Sequence, residues 1–311
     1  MADKKKIDWS GDIRQRVIDA IKQRGAGGFA TVRSVYYYLG TLNVIPLTAQ
    51  GYKQLDALVV DMRKKGEIEW GYFDSVAGIN GYSPSRYWEP EEFYNAYRDQ
   101  FLNSSAYFDV PRWYRQHNYV EIWVEKKGLL HKVENMVSDL GVQVRAIGGY
   151  PAWEFVKENI DSIYEYLEDR AEDAEVNILY LGDLDPSGLD IDRQIQEAFD
   201  YFEMDIIFKR IGLLPNQVER YSLPPIPDSE EVIRKIHRDA RYAKYISQYG
   251  ERFTELDAWE GIAPETMKQE IRDAVWRLFD HGLDKEREQL QRDLRARLQP
   301  MLDDARKKLG A

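Results

Sequence analysis

The sequence predicts an α/β protein in which a small helical N-terminal unit precedes a parallel-sheet domain with a helical C-terminal extension. Three observations carry this. Between residues 119 and 212, short apolar runs alternate with amphipathic stretches, the pattern of a parallel sheet covered on both faces. Residues 10–70 repeat apolar side chains at helical spacing. From residue 264 onward the chain is charged, with Leu at intervals. A length of 311 residues exceeds one ordinary core. The expected division is 1–75, a connecting segment 76–118, and 119–311.

In the first unit Ile13, Val17, Ile18 and Ile21 mark one helix, which the stretch Gly25-Ala-Gly-Gly28 interrupts. Thr31 is the expected N-cap of a second helix over 32–39. Pro46 and Thr48 precede a third, over 49–65, with Leu55, Leu58, Val59 and Met62 on one face and Gly66 as its terminator. Residues 67–73 alternate polar and apolar, as a strand does. Three helices and a strand are the pattern of a winged helix-turn-helix, and equally of other small helical domains. Residues 71–118 are rich in Tyr, Trp, Ser and Pro, with one helical stretch near 91–102. They read as a connector packed on its neighbours.

Strands of the second unit are expected at 119–124, 142–147, 176–181 and 205–211, with helices over 129–140, 152–170 and 189–202. The turn Gly182-Asp-Leu-Asp-Pro-Ser-Gly188 separates the third strand from its helix. Residues 213–260 read as irregular, broken at Pro224-Pro-Ile-Pro227. The last helix, over 283–309, reads as solvated or as a cover for a neighbour or a second subunit.

Composition narrows the function. The chain has no Cys, which excludes disulfides, thiolate metal sites and Cys nucleophiles and fits a reducing cytoplasm. Its four His are scattered without zinc-ligand spacing. No apolar run approaches the ~18 residues of a membrane span, and the N-terminal residues do not resemble an export signal. The net charge is −11, yet residues 1–70 carry 12 Lys/Arg against 8 Asp/Glu. A mildly basic N-terminal unit on an acidic body allows localised phosphate contacts.

In a parallel sheet, ligands bind at the carboxyl ends of the strands. Glu125 ends the first strand, and Asp183 and Asp185 follow the third. If those strands are neighbours, three carboxylates meet at one edge and repel one another unless a cation neutralises them. Mg²⁺, a hard ion taking oxygen ligands, suits such a set. Pro186 and Gly188 suit a tight turn, and Lys126 and Lys127 are candidates to meet phosphate. A second reading of Asp185 is a helix N-cap. Glu121 shares the strand face of Glu125 but lies ~13 Å back along the strand, so it stands outside the expected set.

Trp123-Val-Glu125-Lys126 followed by Gly182-Asp183-Leu-Asp185-Pro186-Ser-Gly188 resembles the Toprim domain, in the version found in the A subunit of topoisomerase VI and the related meiotic double-strand-break transesterase. The second element matches that family's D-x-D-P-x-G. The resemblance extends to stand-alone bacterial and phage-borne proteins with the same order of parts. It implies a winged helix followed by a Toprim domain that binds Mg²⁺ through Glu125, Asp183 and Asp185. It also implies DNA as substrate. Arg33-Ser-Val-Tyr36-Tyr37 matches the family's R-x-x-[FY]-Y, which assigns the nucleophile to Tyr37, with Arg33 and Glu125 beside it in the catalytic set. In the family, Tyr of one subunit works with the metal of the other, which implies a homodimer. ATP is handled there by a separate subunit, and this chain has no G-x-x-x-x-G-K-[ST] loop. Glu255-Leu-Asp-Ala258 resembles a C-terminal element of the same family.

Local chemistry agrees with that assignment. Arg33 and Tyr37 are i and i+4 on a helix, and a guanidinium beside a phenol of pKa ~10 favours phenolate. Of three consecutive tyrosines, Tyr36 and Tyr38 are the expected packing residues. Two further readings stand beside the transesterase: a Toprim-type nuclease with water as nucleophile, and a non-catalytic DNA-binding or assembly module.

Overall fold

The computed structural model describes residues 9, 11–25, 30–69, 72, 89–170, 174–226 and 230–309. The first three helices are α1 (Gly11–Gly25), α2 (Val32–Thr41) and α3 (Ala49–Lys64). Thr31 caps α2 by accepting the Ser34 N–H at 3.0 Å, and Ser34 returns a bond to the Thr31 backbone. Thr48 caps α3 in the same way through Gly51. Val17 and Ile21 of α1, Val35 and Leu39 of α2, and Leu55, Val59 and Met62 of α3 form one core. Of the strand expected over 67–73, residues 67 and 68 form a bend and 69 is irregular, so none of the three is a strand. Residues 70, 71 and 73 lie outside the described residues.

The connector contains α4 (Pro90–Leu102) and the single turn α5 (Ser104–Tyr107). The sheet follows: β1 (Asn118–Val124), β2 (Gln143–Ala146), β3 (Glu175–Leu181) and β4 (Ile207–Gly212), all parallel in the order β2-β1-β3-β4. Between them run α6 (Leu130–Val137), α7 (Trp153–Arg170) and α8 (Pro186–Tyr201). Strand side chains alternate between faces. Val120, Ile122 and Val124 pack with α6 residues on one side. Trp123, Ile178 and Tyr180 pack with α7 and α8 residues on the other. The central strands β1 and β3 are buried on both faces over most of their length, which explains their nearly unbroken apolar runs.

The stretch expected to be irregular, 213–260, instead holds α9 (Pro215–Arg220), α10 (Glu230–His237), α11 (Tyr242–Tyr249) and α12 (Leu256–Ile262). None exceeds 8 residues, too short for a helical period to stand out. Then come α13 (Pro264–Trp276) and α14 (His281–Leu309). The last helix is not solvated all round: it covers a neighbour in the same chain, the connector. Its Arg287, Arg295 and Arg306 donate to the carbonyls of Val110, Phe108 and Leu102. No helix among the described residues is long and apolar enough to cross a membrane.

Candidate functional site

The register of the sheet builds the site. Val124 of β1 pairs with Leu181 of β3, so the residues that leave these strands emerge side by side. The Asp183 N–H donates to Glu125 Oε2 at 2.8 Å. The turn that follows is tightly wound. A Cβ on Gly188 would lie 2.3 Å from the Asp183 carbonyl oxygen, a contact that only glycine avoids. Arg210 of β4 clamps the same turn. Its Nη1 donates to the carbonyls of Gly182 and Asp183 and its Nη2 to that of Gly188, while its Nε pairs with Asp192 at 2.7 Å.

Asp183 is buried and fully engaged. Its Oδ1 accepts the Leu256 N–H at 2.7 Å, and its Oδ2 faces the Lys126 ammonium at 3.0 Å. Asp185 accepts the Gly188 N–H at 2.6 Å and so caps α8, as its second reading expected. It lines a cleft of about 750 Å³ with Glu125, Asp183 and Glu255, together with Arg33 and Lys53. An adjoining cavity of about 580 Å³ is lined by Arg33, Lys126, Asp183 and Asp257, among others.

Glu255 and Asp257 complete the constellation, and nothing in the order of strands anticipates them. An isolated antiparallel bridge pairs Leu184 with Thr254, which carries the start of α12 into the site. Arg33 Nη1 holds both Glu255 oxygens, at 2.5 and 2.6 Å. Lys126 reaches Asp257 at 2.8 Å and Glu255 at 3.7 Å. The family resemblance singles out Glu255-Leu-Asp-Ala258 without assigning its acids to the site, and the E-x-D spacing at 255–257, which echoes the D-x-D of 183–185, is a second sequence signal for them. Arg210 carried no such signal.

Tyr37 differs from expectation in its surroundings. It is 0% exposed, as buried as Tyr36, while Tyr38 sits nearer the surface and bonds Gln23. The Tyr37 hydroxyl donates to Glu255 Oε2 at 2.8 Å. Burial pushes this phenol well above its ordinary value, and the adjacent Glu255 pushes it further than Arg33 can offset. The guanidinium that was to favour phenolate is itself neutralised by Glu255. Lys126 also differs. It turns inward to the acids rather than outward to phosphate, and Asp257, Asp183 and Glu255 outweigh the effect of burial to keep its ammonium charged. Lys127 is exposed. Glu121 stands apart, as expected. It is wholly buried, and its carboxylate accepts from Tyr119, Trp123 and Arg145.

The donor set fits a hard cation. Every candidate ligand atom is a carboxylate oxygen. Burial holds both Glu125 and Asp183 above the ordinary carboxylate range, and neighbouring acids, Asp185 for Glu125 and Glu125 for Asp183, add to this. No three His, Cys, Asp or Glu among the described residues are grouped closely enough to hold a metal ion as they stand. No protein-family model matches the chain, and no curated protein matches it.

Proposed function

We propose that this chain cleaves DNA phosphodiesters with Mg²⁺ held by Glu125, Asp183 and Asp185. The observation that carries the reading is the β1–β3 register, which brings Glu125 beside Asp183 in a cleft shared with Asp185 and the cations Arg33 and Lys53. The bound ion supplies electrophilic stabilisation of the phosphoryl group and the leaving oxygen. Arg33 and Lys53 orient the phosphate, and Arg210 keeps the acidic turn rigid. The three N-terminal helices serve in this reading as a winged helix against the duplex, and the protein acts in the cytoplasm.

Burial of Tyr37 favours water as the nucleophile, which makes the chain a Toprim-type nuclease. The second reading is tyrosine transesterification of the topoisomerase VI A-subunit kind. The observation favouring it is that Tyr37 and Arg33 both bind Glu255, in the same network as Asp183. It requires the α2–α12 contact to open so that the phenol reaches a scissile phosphate. In that case a homodimer and a separate ATPase subunit are expected. Incubation with supercoiled, end-labelled DNA and Mg²⁺, followed by protease-free gel analysis, tests both readings. Tyr37→Phe retains cleavage if water attacks, and abolishes both cleavage and protein-linked ends if tyrosine attacks. Asp183→Ala abolishes cleavage in either case. Cleavage that persists in Asp183→Ala refutes the metal site, and an inert wild type supported by its partner leaves a non-catalytic DNA-binding module.

A further inference from the structure

Lys126 occupies the point where the acids of the two halves of the site meet. Its side chain is 22% exposed, and its ammonium lies 2.8 Å from Asp257 Oδ2, 3.0 Å from Asp183 Oδ2 and 3.7 Å from Glu255 Oε1. Three carboxylates thus cradle one cation supplied by the chain itself. Asp183 belongs to this cradle and also to the set assigned to the metal, so one carboxylate has two claimants. The other two members cannot follow Asp183 toward a metal. Asp257 accepts the Thr31 hydroxyl at 3.3 Å through its other oxygen, and Glu255 is held by Arg33 and Tyr37.

We propose that Lys126 is a built-in counter-cation that a divalent ion must displace from Asp183, with Asp257 and Glu255 retaining the ammonium after displacement. The proposal rests on the metal reading of Glu125, Asp183 and Asp185. A tethered ammonium loses no translational freedom on binding, so it holds Asp183 whenever the divalent ion is absent. The exchange keeps the acidic edge compensated in the metal-free protein and weakens metal binding in return. Two cations a few ångströms apart in a partly buried site repel strongly enough that removing one tightens binding of the other by about tenfold or more.

The test is Mn²⁺ binding to the full chain without DNA, followed by electron paramagnetic resonance; Mn²⁺ shares the oxygen preference of Mg²⁺. Lys126→Met is expected to lower the Mn²⁺ dissociation constant by about tenfold or more. Asp257→Asn is expected to weaken Mn²⁺ binding several-fold when Lys126 is present, because the displaced ammonium loses its alternative partner. In the Lys126→Met background the same change is expected to have little effect. A purely distant charge effect predicts equal weakening in both backgrounds, and that result overturns the proposal. So does unchanged or weaker binding in a cooperatively melting Lys126→Met protein. If Lys126→Met fails to fold, Lys126→Gln takes its place in the same comparison of the two backgrounds, with the same outcomes supporting or overturning the proposal. Wild-type binding that Asp183→Asn removes keeps the metal reading intact whatever Lys126 does. No binding in any variant overturns that reading and this proposal together.

Discussion

Replacing Tyr37 with Phe isolates one hydrogen bond. The ring is fully buried and meets Tyr36 edge-on, with centroids 5.5 Å apart. Phe preserves that packing, so no cavity larger than a hydroxyl is created. What is lost is the donation to Glu255 Oε2 at 2.8 Å. Hydrogen bonds to charged groups contribute about 1.5–3 kcal/mol. The lower end applies here, because Arg33 still donates to the same oxygen at 2.6 Å and the carboxylate is not left bare. Removing the buried hydroxyl also removes its desolvation cost. The expected loss is therefore about 1–2 kcal/mol, read as a lower urea midpoint with an unchanged slope. A double-mutant cycle with Glu255→Gln attributes the loss to this pair if the coupling is of the same size. Unchanged or increased stability in Tyr37→Phe refutes the reasoning, since it means the phenol is not bound to Glu255 in the resting protein.

Glu121→Leu strands Arg145 and leaves two buried donors unmet, so it should cost about 3–5 kcal/mol while Mn²⁺ affinity of the folded fraction stays unchanged. Arg210→Met removes the clamp on the 182–188 turn; a loss of about 2–4 kcal/mol is expected in denaturant unfolding, together with weaker Mn²⁺ binding. Gly261→Ala drives a methyl to 2.4 Å from the Ser34 carbonyl oxygen, and the resulting separation of α12 from α2 should cost about 1–3 kcal/mol, with faster amide exchange in α2. Arg272 binds Asp139 through both oxygens and holds its carboxyl down at about 2. Because the folded value lies below the unfolded one, the stabilisation is complete above pH ~4 and disappears as pH falls toward ~2. The Asp139 side chain is 58% exposed, so the melting difference between wild type and Asp139→Asn should correspond to less than about 1 kcal/mol.

The sheet was legible chiefly through its central strands, β1 and β3, which are buried on both faces over most of their length. Runs such as 176–181 contain no periodic polar residue and end at turn signals, which separates them from the amphipathic helices between them. The connections make β1 and β3 candidate neighbours without fixing their adjacency; the parallel register pairs them and so brings Glu125 to Asp183. The helices of 213–260 were not legible. Their lengths of 6 to 8 residues give about two turns each, and burial in α12 covers every residue from Leu256 to Gly261. A helix buried on all sides carries no amphipathic period to detect.

The site shows where local reasoning stops. Arg33 and Tyr37 are neighbours on one helix, as their spacing predicts, and a guanidinium alone lowers a phenol's pKa. The group that reverses this, Glu255, lies 218 residues away in sequence from Tyr37. Only the Leu184–Thr254 bridge and the close approach at Gly261 bring it there. The three acids of this short segment each bind a cation from elsewhere: Glu255 takes Arg33 of α2, Asp257 takes Lys126 after β1, and Glu260 takes Lys132 of α6 at 2.8 Å. The segment 255–262 is thus an ionic joint between the helical unit and the sheet. Breaking such buried pairs one partner at a time is costly, so the joint keeps Tyr37 closed in the resting chain. Any step that exposes Tyr37 must first give Glu255 a replacement for Arg33, or give Arg33 a replacement for Glu255. A phosphate in the cleft is an anion of the right kind for Arg33, so under the transesterase reading proposed above substrate binding would begin the exchange of partners that release of the tyrosine requires.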